Sequence, residues 1–188
     1  MKKGQFFLIG SVILIGVLAA LTFSRGSYNV SEIDIGPEIV KNIVSEFPIA
    51  VNSILSNNTE TKYLERELRS YIRFQEFYMK KNSLNSRTYF LVGVPSGNDF
   101  NVLVGNFFGN LENLKISLNG NTKELCLNNS EINSLNFENV PDFFTVDFNL
   151  TENKKNLSYS FNSFRKVFFF VKVVGEFKGD YFEEINMG

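Results

Sequence analysis

The chain has 188 residues, 44% of them hydrophobic, and its 19 basic and 20 acidic residues give a formal net charge of −1. This near-neutral balance gives no net attraction to nucleic acid, which binds to concentrated positive charge, so we expect no nucleic-acid partner. The chain has no histidine and one cysteine. This excludes Ser–His and Cys–His catalysis and an intramolecular disulfide, so we expect neither enzyme activity nor a cofactor.

An apolar segment opens the chain at residues 6–23, FFLIGSVILIGVLAALTF, directly after Met1-Lys2-Lys3-Gly4-Gln5. It contains no charged residue, and as a helix it would cover roughly 27 Å, close to the hydrocarbon thickness of a bilayer. It therefore predicts a transmembrane helix in an N-terminal region, residues 1–24, with membrane lipid as its partner. The basic N-terminal flank predicts a cytoplasmic N-terminus and an extracellular main domain, because positive charge stays on the cytoplasmic side.

Three interpretations of this segment stay open: a retained single-pass anchor, a cleaved secretory signal and a pilin-type N-terminus. Lys2-Lys3-Gly4-Gln5 followed by an apolar helix resembles the class III signal peptide of archaeal type IV pilins and related surface proteins. The resemblance implies cleavage between Gly4 and Gln5, with Lys3, Gly4 and Gln5 as the processing residues. It also implies self-assembly through the N-terminal helix, which would make the mature protein part of an extracellular pilus.

Residues 25–85 predict a helical stalk or helix pair. The first helix falls within Glu32–Ser56, starting near Pro37, and we expect Pro48 to kink or split it. The second runs from Thr59 to about Lys81. Residues at three- and four-residue spacing, all of them apolar or aromatic except Gln75, mark the packing face of each helix. These residues are Ile39, Ile43, Val44, Phe47, Val51, Ile54 and Leu55 in the first helix, and Tyr63, Leu64, Leu68, Tyr71, Ile72, Gln75, Tyr78 and Met79 in the second.

Residues 86–188 change to a strand-like period and predict an antiparallel β-sandwich. Asn119-Gly120 is the strongest hairpin signal, and Val167–Val171 reads as a central strand buried on both faces. Cys126 is expected to be a buried strand thiol. The predicted strands are Arg87–Val94, Phe100–Phe107, Leu114–Leu118, Lys123–Leu127, Phe143–Leu150, Leu157–Phe161, Lys166–Val174 and Glu176–Glu183.

The phrase NVLVGNFFG at residues 101–109, followed by LKISLNG at 114–120, resembles the opening strands of immunoglobulin-like domains on archaeal surface proteins. The whole chain is similar to an archaeal class of anchored proteins, which implies a place on the cell exterior. The expected fold class is α+β: a long N-terminal transmembrane (pilin-like) helix, a helical pair, and then an antiparallel immunoglobulin-like β-sandwich.

Two kinds of candidate site remain. Asn-x-Ser/Thr triplets predict glycosylation of an exterior protein at Asn29, Asn57, Asn128, Asn149 and Asn156. The neighbouring acids Glu32 with Asp34, Asp142 with Asp147, and Glu183 with Glu184 lack calcium-loop spacing. They are expected to be separate surface acids, so we predict no metal site.

These features lead to one functional expectation, a membrane-anchored extracellular structural or surface protein in the form of a type IV pilin-like fibre subunit. The alternative is an anchored adhesion or binding module that recognises a surface polymer such as a glycan, or a surface protein. N-terminal processing at Gln5 would favour the fibre subunit.

Overall fold

The computed structural model describes residues 36–57, 60–109, 111–152, 155–164 and 166–188. Two helices precede nine strands within these ranges. The elements are α1 (Gly36–Asn57), α2 (Thr61–Lys81), β1 (Asn85–Ser96), β2 (Asp99–Phe107), β3 (Leu111–Leu118), β4 (Asn121–Leu125), β5 (Glu131–Phe137), β6 (Phe143–Glu152), β7 (Lys155–Phe164), β8 (Phe168–Phe177) and β9 (Asp180–Met187).

The strands form two sheets in which all pairings are antiparallel. The five-stranded sheet has the order β5-β2-β1-β8-β9, and the four-stranded sheet has the order β4-β3-β6-β7. The chain changes sheet after β2, β4, β5 and β7. It therefore passes from the β1–β2 hairpin to the β3–β4 hairpin of the other sheet, back to the single strand β5, and then to the β6–β7 and β8–β9 hairpins. This arrangement is a β-sandwich.

Aromatic side chains fill the space between the two sheets. The rings of Phe100 and Phe168 stack with centroids 5.4 Å apart, and Phe144 meets Phe100 edge-on at 5.1 Å. Phe148 and Phe170 make a further edge-on contact at 4.7 Å. All five rings are nearly inaccessible to solvent, so stacked and edge-on phenylalanine rings help to join the two sheets.

A second core lies on the opposite side of the five-stranded sheet, where the helix pair covers it. The α1 helix contacts β8 and β9, and α2 contacts β1 and β2. Phe47 of α1 is fully buried here, with its ring 5.7 Å from that of Phe90 in β1. The unit therefore has three layers: helix pair, five-stranded sheet and four-stranded sheet.

Residues Ile35–Gly188 form one compact unit that includes the helix pair and both sheets. The change from helix to strand near residue 85 is a boundary inside this unit. The boundary at residue 24 lies outside the described residues. The expected helix pair and antiparallel sandwich of an α+β fold are confirmed.

The turn at Asn119-Gly120 is confirmed as the β3–β4 hairpin. Both residues have positive φ, +48° and +81°, as a two-residue hairpin turn of this hand requires. The expected central strand is also confirmed, because β8 lies between β1 and β9 and is buried on both faces along most of its length. Strand β5 was not predicted from the sequence.

Of the two effects expected of Pro48, a kink or a split, the split is wrong, because α1 is continuous from Gly36 to Asn57. Proline lacks the N–H that would bond the carbonyl four residues earlier, which belongs to Val44. That carbonyl accepts a hydrogen bond from the Asn186 side chain of β9 at 3.4 Å. A side chain of the sheet thus supplies the missing donor.

The prediction that Cys126 is buried is also wrong, because the residue is exposed. Strand β4 ends at Leu125, and Leu127 is buried on the sandwich side. Side chains alternate between the two sides of an extended chain, so Cys126, which lies between these two leucines, points to solvent.

Within the ranges that the structure describes, no helix is long and apolar enough to cross a membrane. The predicted transmembrane segment at residues 6–23 lies outside those ranges, as do the processing residues Lys3, Gly4 and Gln5.

Candidate binding surface

The outer face of the four-stranded sheet is polar and uncovered by either described helix. Strands β3, β4, β6 and β7 alternate apolar residues toward the sandwich core with polar residues toward solvent. We call the outward set the polar face. Its members are Asn113, Lys115, Ser117, Thr122, Glu124, Thr145, Asp147, Asn149, Thr151, Ser158, Ser160 and Asn162.

Cross-strand hydrogen bonds order the polar face between β6 and β7. Thr145 Oγ1 donates to Asn162 Oδ1 at 3.1 Å, and Ser158 Oγ donates to Asn149 Oδ1 at 2.6 Å. Ser160 Oγ donates in the same way to Asp147 Oδ1. Each pair is directly opposite in the strand register, so the donors and acceptors form a regular row held on rigid backbone.

Charge on the polar face is sparse. Lys115 and Glu124 form an ion pair across β3 and β4 at 3.2 Å, which leaves Asp147 as the remaining charge of this set. An open depression of about 430 Å³ lies beside that ion pair. Amide and hydroxyl groups supply most of its polar lining, so it suits a neutral ligand rich in hydrogen-bonding groups better than a strongly charged one.

An aromatic pair lies at the end of the polar face, at the start of β6 and the end of β7. Phe143 and Phe164 are opposite in register, with ring centroids 5.2 Å apart in an edge-on arrangement. Their side chains are 52% and 64% exposed, although the sandwich core directly beneath is rich in buried phenylalanine. Neighbouring exposed rings of this size are typical of interaction sites.

The predicted glycosylation residues do not cluster at one site. Asn57 is exposed at the end of α1, Asn128 is exposed between β4 and β5, and Asn149 is exposed on the polar face. Asn156 lies in β7 opposite Thr151, and Asn29 lies outside the described residues. Because Asn149 lies on the polar face, a glycan attached there would cover that face.

The predicted acid pairs are not brought together into a cluster. Within the described part of the chain, no group of three or more potential ligands could hold a metal ion. Asp142 precedes β6 and Asp147 lies on the polar face, whereas Glu183 of β9 pairs with Lys172 at 3.3 Å. Glu184 neighbours Glu183 in β9, and Glu32 and Asp34 lie outside the described residues.

Two tyrosines have perturbed pKa values, and both belong to the cores. Burial between the sheets raises the pKa of Tyr89 well above its ordinary value, with a further contribution from Tyr159. Burial of the α2 residue Tyr71 against α1, where its ring lies 6.2 Å from that of Phe47, raises its pKa, and the nearby Glu46 carboxylate raises that pKa further. Both phenols therefore stay protonated at neutral pH and act as structural groups.

The sequence did contain a signal for the polar face that was missed. Strands β6 and β7 read FFTVDFNL and LSYSFNSF, in which Ser, Thr, Asn and Asp alternate with large apolar residues. This alternation predicts one solvated face of hydroxyls and amides. No family model, curated protein or solved structure matches the chain.

Proposed function

We propose that the chain is a membrane-anchored extracellular surface protein. The observation that carries this proposal is the uncharged apolar segment at residues 6–23 behind Lys2 and Lys3. The compact unit at residues 35–188, which has two hydrophobic cores, would then be displayed outside the membrane. Extraction of native membranes tests the anchor: we expect release by detergent and not by high salt or alkaline carbonate.

The displayed unit is an immunoglobulin-like sandwich with two additions. Strands β1 to β7 correspond in order to strands A, B, C, C′, E, F and G of that family. The orders β5-β2-β1 and β4-β3-β6-β7 support this assignment, because they match E-B-A and C′-C-F-G. The β8–β9 hairpin extends the first sheet beyond A, and the helix pair covers that extended sheet.

The geometry favours an adhesion or binding module, with the polar face as the contact surface. A row of ordered hydroxyls and amides beside exposed aromatic rings suits a glycan, whose hydroxyls need hydrogen bonds and whose sugar faces stack on rings. The sparse charge of this face supports the same ligand class. The polymer would belong to the cell envelope or to a partner cell.

Co-sedimentation with cell-envelope material isolated from the natural source tests this role. The double variant Phe143→Ser/Phe164→Ser should weaken binding about tenfold or more, because both exposed rings are lost at little cost in folding. The matched control Ile49→Ser/Tyr181→Ser removes two exposed hydrophobic side chains from α1 and β9 and should bind like the parent chain. Equal binding by all three proteins would contradict a role for the polar face.

A type IV pilin-like fibre subunit is the second candidate, favoured by the Lys2-Lys3-Gly4-Gln5 phrase before the apolar segment. The intact mass and N-terminal sequence of the native protein separate the two roles. A chain beginning at Gln5 and present in surface filaments supports the fibre, whereas retention of Met1 or Lys2 supports the anchored module. The same mass tests glycosylation, since the mass of the bare chain would exclude it.

A further inference from the structure

Helix α2 presents a solvent-facing side that we call the basic arc. It consists of Lys62, Arg66, Ser70, Arg73, Phe74, Phe77, Lys80 and Lys81. At 100° per residue these positions share an arc of roughly 120° that extends for about 28 Å along the helix. The buried stripe of α2, with Leu68 and Ile72 at its centre, lies on the opposite side against the sheet.

Charge is segregated on this helix. The exposed charged residues of α2 are all basic, whereas Glu65, Glu67 and Glu76 are partly buried at the flanks of the arc. Arg66 pairs with the flanking Glu67 at 2.9 Å, and no described carboxylate forms an ion pair with Lys80 or Lys81. The near-neutral net charge of the whole chain conceals this positive strip.

Neither α1 nor the polar face has this character. The exposed charges of α1 are Glu38, Lys41 and Glu46, with a net charge of −1. The polar face also sums to −1, from Lys115 against Glu124 and Asp147. Exposed basic residues therefore outnumber exposed acidic ones along α2, whereas α1 and the polar face each carry a net negative charge.

Two large apolar side chains lie within the positive strip. Phe74 is 49% exposed and Phe77 is 66% exposed, one helical turn apart and flanked by Arg73, Lys80 and Lys81. Exposed phenylalanine among cations suits the boundary between lipid headgroups and acyl chains, where the ring enters the apolar region and the cations meet phosphate.

We propose that the basic arc of α2 lies on an anionic lipid surface. Charge complementarity with acidic headgroups and insertion of Phe74 and Phe77 would hold the helix parallel to the bilayer. This inference deepens the proposed function. It rests on that function because the membrane anchor is what brings α2 to the bilayer. The occupant is lipid rather than a soluble polyanion, because a soluble polyanion offers no apolar layer to receive the two rings.

This contact would fix the orientation of the displayed unit. The helix pair and the polar face are the outer layers on opposite sides of the three-layer unit. With α2 against the headgroups, the polar face points away from the membrane and toward the exterior. One surface then holds the unit in place while the opposite surface remains accessible to a ligand.

Lipid-quencher fluorescence on the full-length chain tests the contact. A Ser70→Cys probe in a Cys126→Ser background reports the basic arc, and native Cys126 carrying the same dye reports the four-stranded-sheet side. The chain is added to phosphatidylcholine vesicles and to vesicles with about one-third phosphatidylglycerol, each containing spin-labelled lipid. We expect the position-70 dye to be quenched at least threefold more in anionic vesicles, and the position-126 dye to be unaffected by either.

Two variants separate charge from aromatic insertion. Arg73→Gln/Lys80→Gln/Lys81→Gln should abolish most of the quenching at position 70, and Phe74→Ser/Phe77→Ser should reduce it about threefold or more. The matched control Lys41→Gln/Lys115→Gln/Lys166→Gln makes the same change in net charge elsewhere and should keep the parent signal. Raising salt from 0.1 M to 1 M should weaken quenching, because the screening length falls from about 10 Å to about 3 Å.

Flotation of the same samples keeps this inference distinct from the proposed anchor. If the chain floats with both vesicle types but the position-70 dye is not quenched, the anchor stands and the lipid contact of α2 is overturned. If the chain floats only with anionic vesicles and is quenched, the α2 contact stands and the anchor is overturned. A dye response to dextran sulfate without lipid quenching would assign the arc to a soluble polyanion and overturn the lipid proposal.

Discussion

Asn106 at the end of β2 makes four side-chain hydrogen bonds inside the sandwich. It is fully buried, and its Nδ2 donates to the carbonyl of Gly109 at 2.8 Å and to those of Leu127 and Asn128 at 3.2 Å. Its Oδ1 accepts from the Phe108 N–H at 3.0 Å. One amide thus ties the β2–β3 connection to the β4–β5 connection.

We expect Asn106→Leu to lower the free energy of unfolding by about 3 kcal/mol, because it leaves the Phe108 N–H and three carbonyls without this buried partner. The corresponding loss in melting temperature is roughly 6–12 °C for a unit of this size. Asn136→Leu is the matched control, since Asn136 is an exposed residue of neighbouring β5, and it should change stability little. Equal losses would contradict the role of the Asn106 amide.

Gln75 of α2 presents the opposite case. Its side chain is only 5% exposed, and neither its amide oxygen nor its nitrogen has a hydrogen-bond partner among the described residues. We expect Gln75→Leu to raise the free energy of unfolding by about 1 kcal/mol, since an unpaired buried amide is replaced by apolar packing. Gln75→Ala should instead lower it, because truncation leaves a cavity. A loss of stability in Gln75→Leu would mean that the amide is satisfied by ordered water.

Sequence reasoning at this scale identifies what a residue prefers but not its distant partners. The hairpin turn at Asn119-Gly120 was predicted correctly, because the positive φ values of that turn are favoured by these two residue types alone. Sequence reasoning could not find the role of Asn106, whose acceptors at Leu127 and Asn128 are more than twenty residues away. The prediction that Cys126 is buried relied on the general burial preference of cysteine. Cys126 is exposed because it lies between two inward-facing leucines on an extended segment.

At the scale of elements, a glycine sets the distance between the helix pair and the five-stranded sheet. A Cβ at Gly175 of β8 would lie 2.6 Å from Val40 Cγ2 of α1 and 3.3 Å from Met79 Cε of α2. Both helices therefore converge on the one position of β8 that has no side chain. Close packing there depends on the glycine.

We expect Gly175→Ala to cost about 1–3 kcal/mol of unfolding free energy, because α1 must shift to admit the methyl group. Adding Val40→Ala removes the clashing atom, so the double variant should lose clearly less than the sum of the two single losses. Denaturant titration of the four proteins provides the measurement. Strict additivity would show that Gly175 does not set the spacing.

The type of each element was predictable wherever the hydrophobic period was strong. Prediction failed where tertiary contacts determine whether a segment is a helix or a strand. The EINSLNF segment of β5 mixes polar and apolar residues without a clear period, and it is extended because it pairs with β2 at the sheet edge. Where α1 continues through Pro48, the Val44 carbonyl that proline leaves without its helical donor accepts from Asn186, 142 residues away. Neither fact has a local sequence signal.

At the scale of the whole molecule, the three layers separate two surfaces of different chemistry. The helix layer carries the basic arc, and the four-stranded sheet carries the polar face. The α+β class and the sandwich followed from the order of periodic segments. The segregation of positive charge could not be predicted from the sequence, because a total charge of −1 says nothing about how charges are distributed over a folded surface.

The most direct test of the proposed placement uses the chain's single cysteine, Cys126, which is exposed on the displayed unit. Intact cells of the natural source are treated with a membrane-impermeant maleimide, and the chain is then recovered from the membrane fraction. Cys126→Ser provides the blank, and lysed cells provide full labelling. We expect Cys126 to be labelled in intact cells as fully as after lysis. Labelling that appears only after lysis would contradict an extracellular unit.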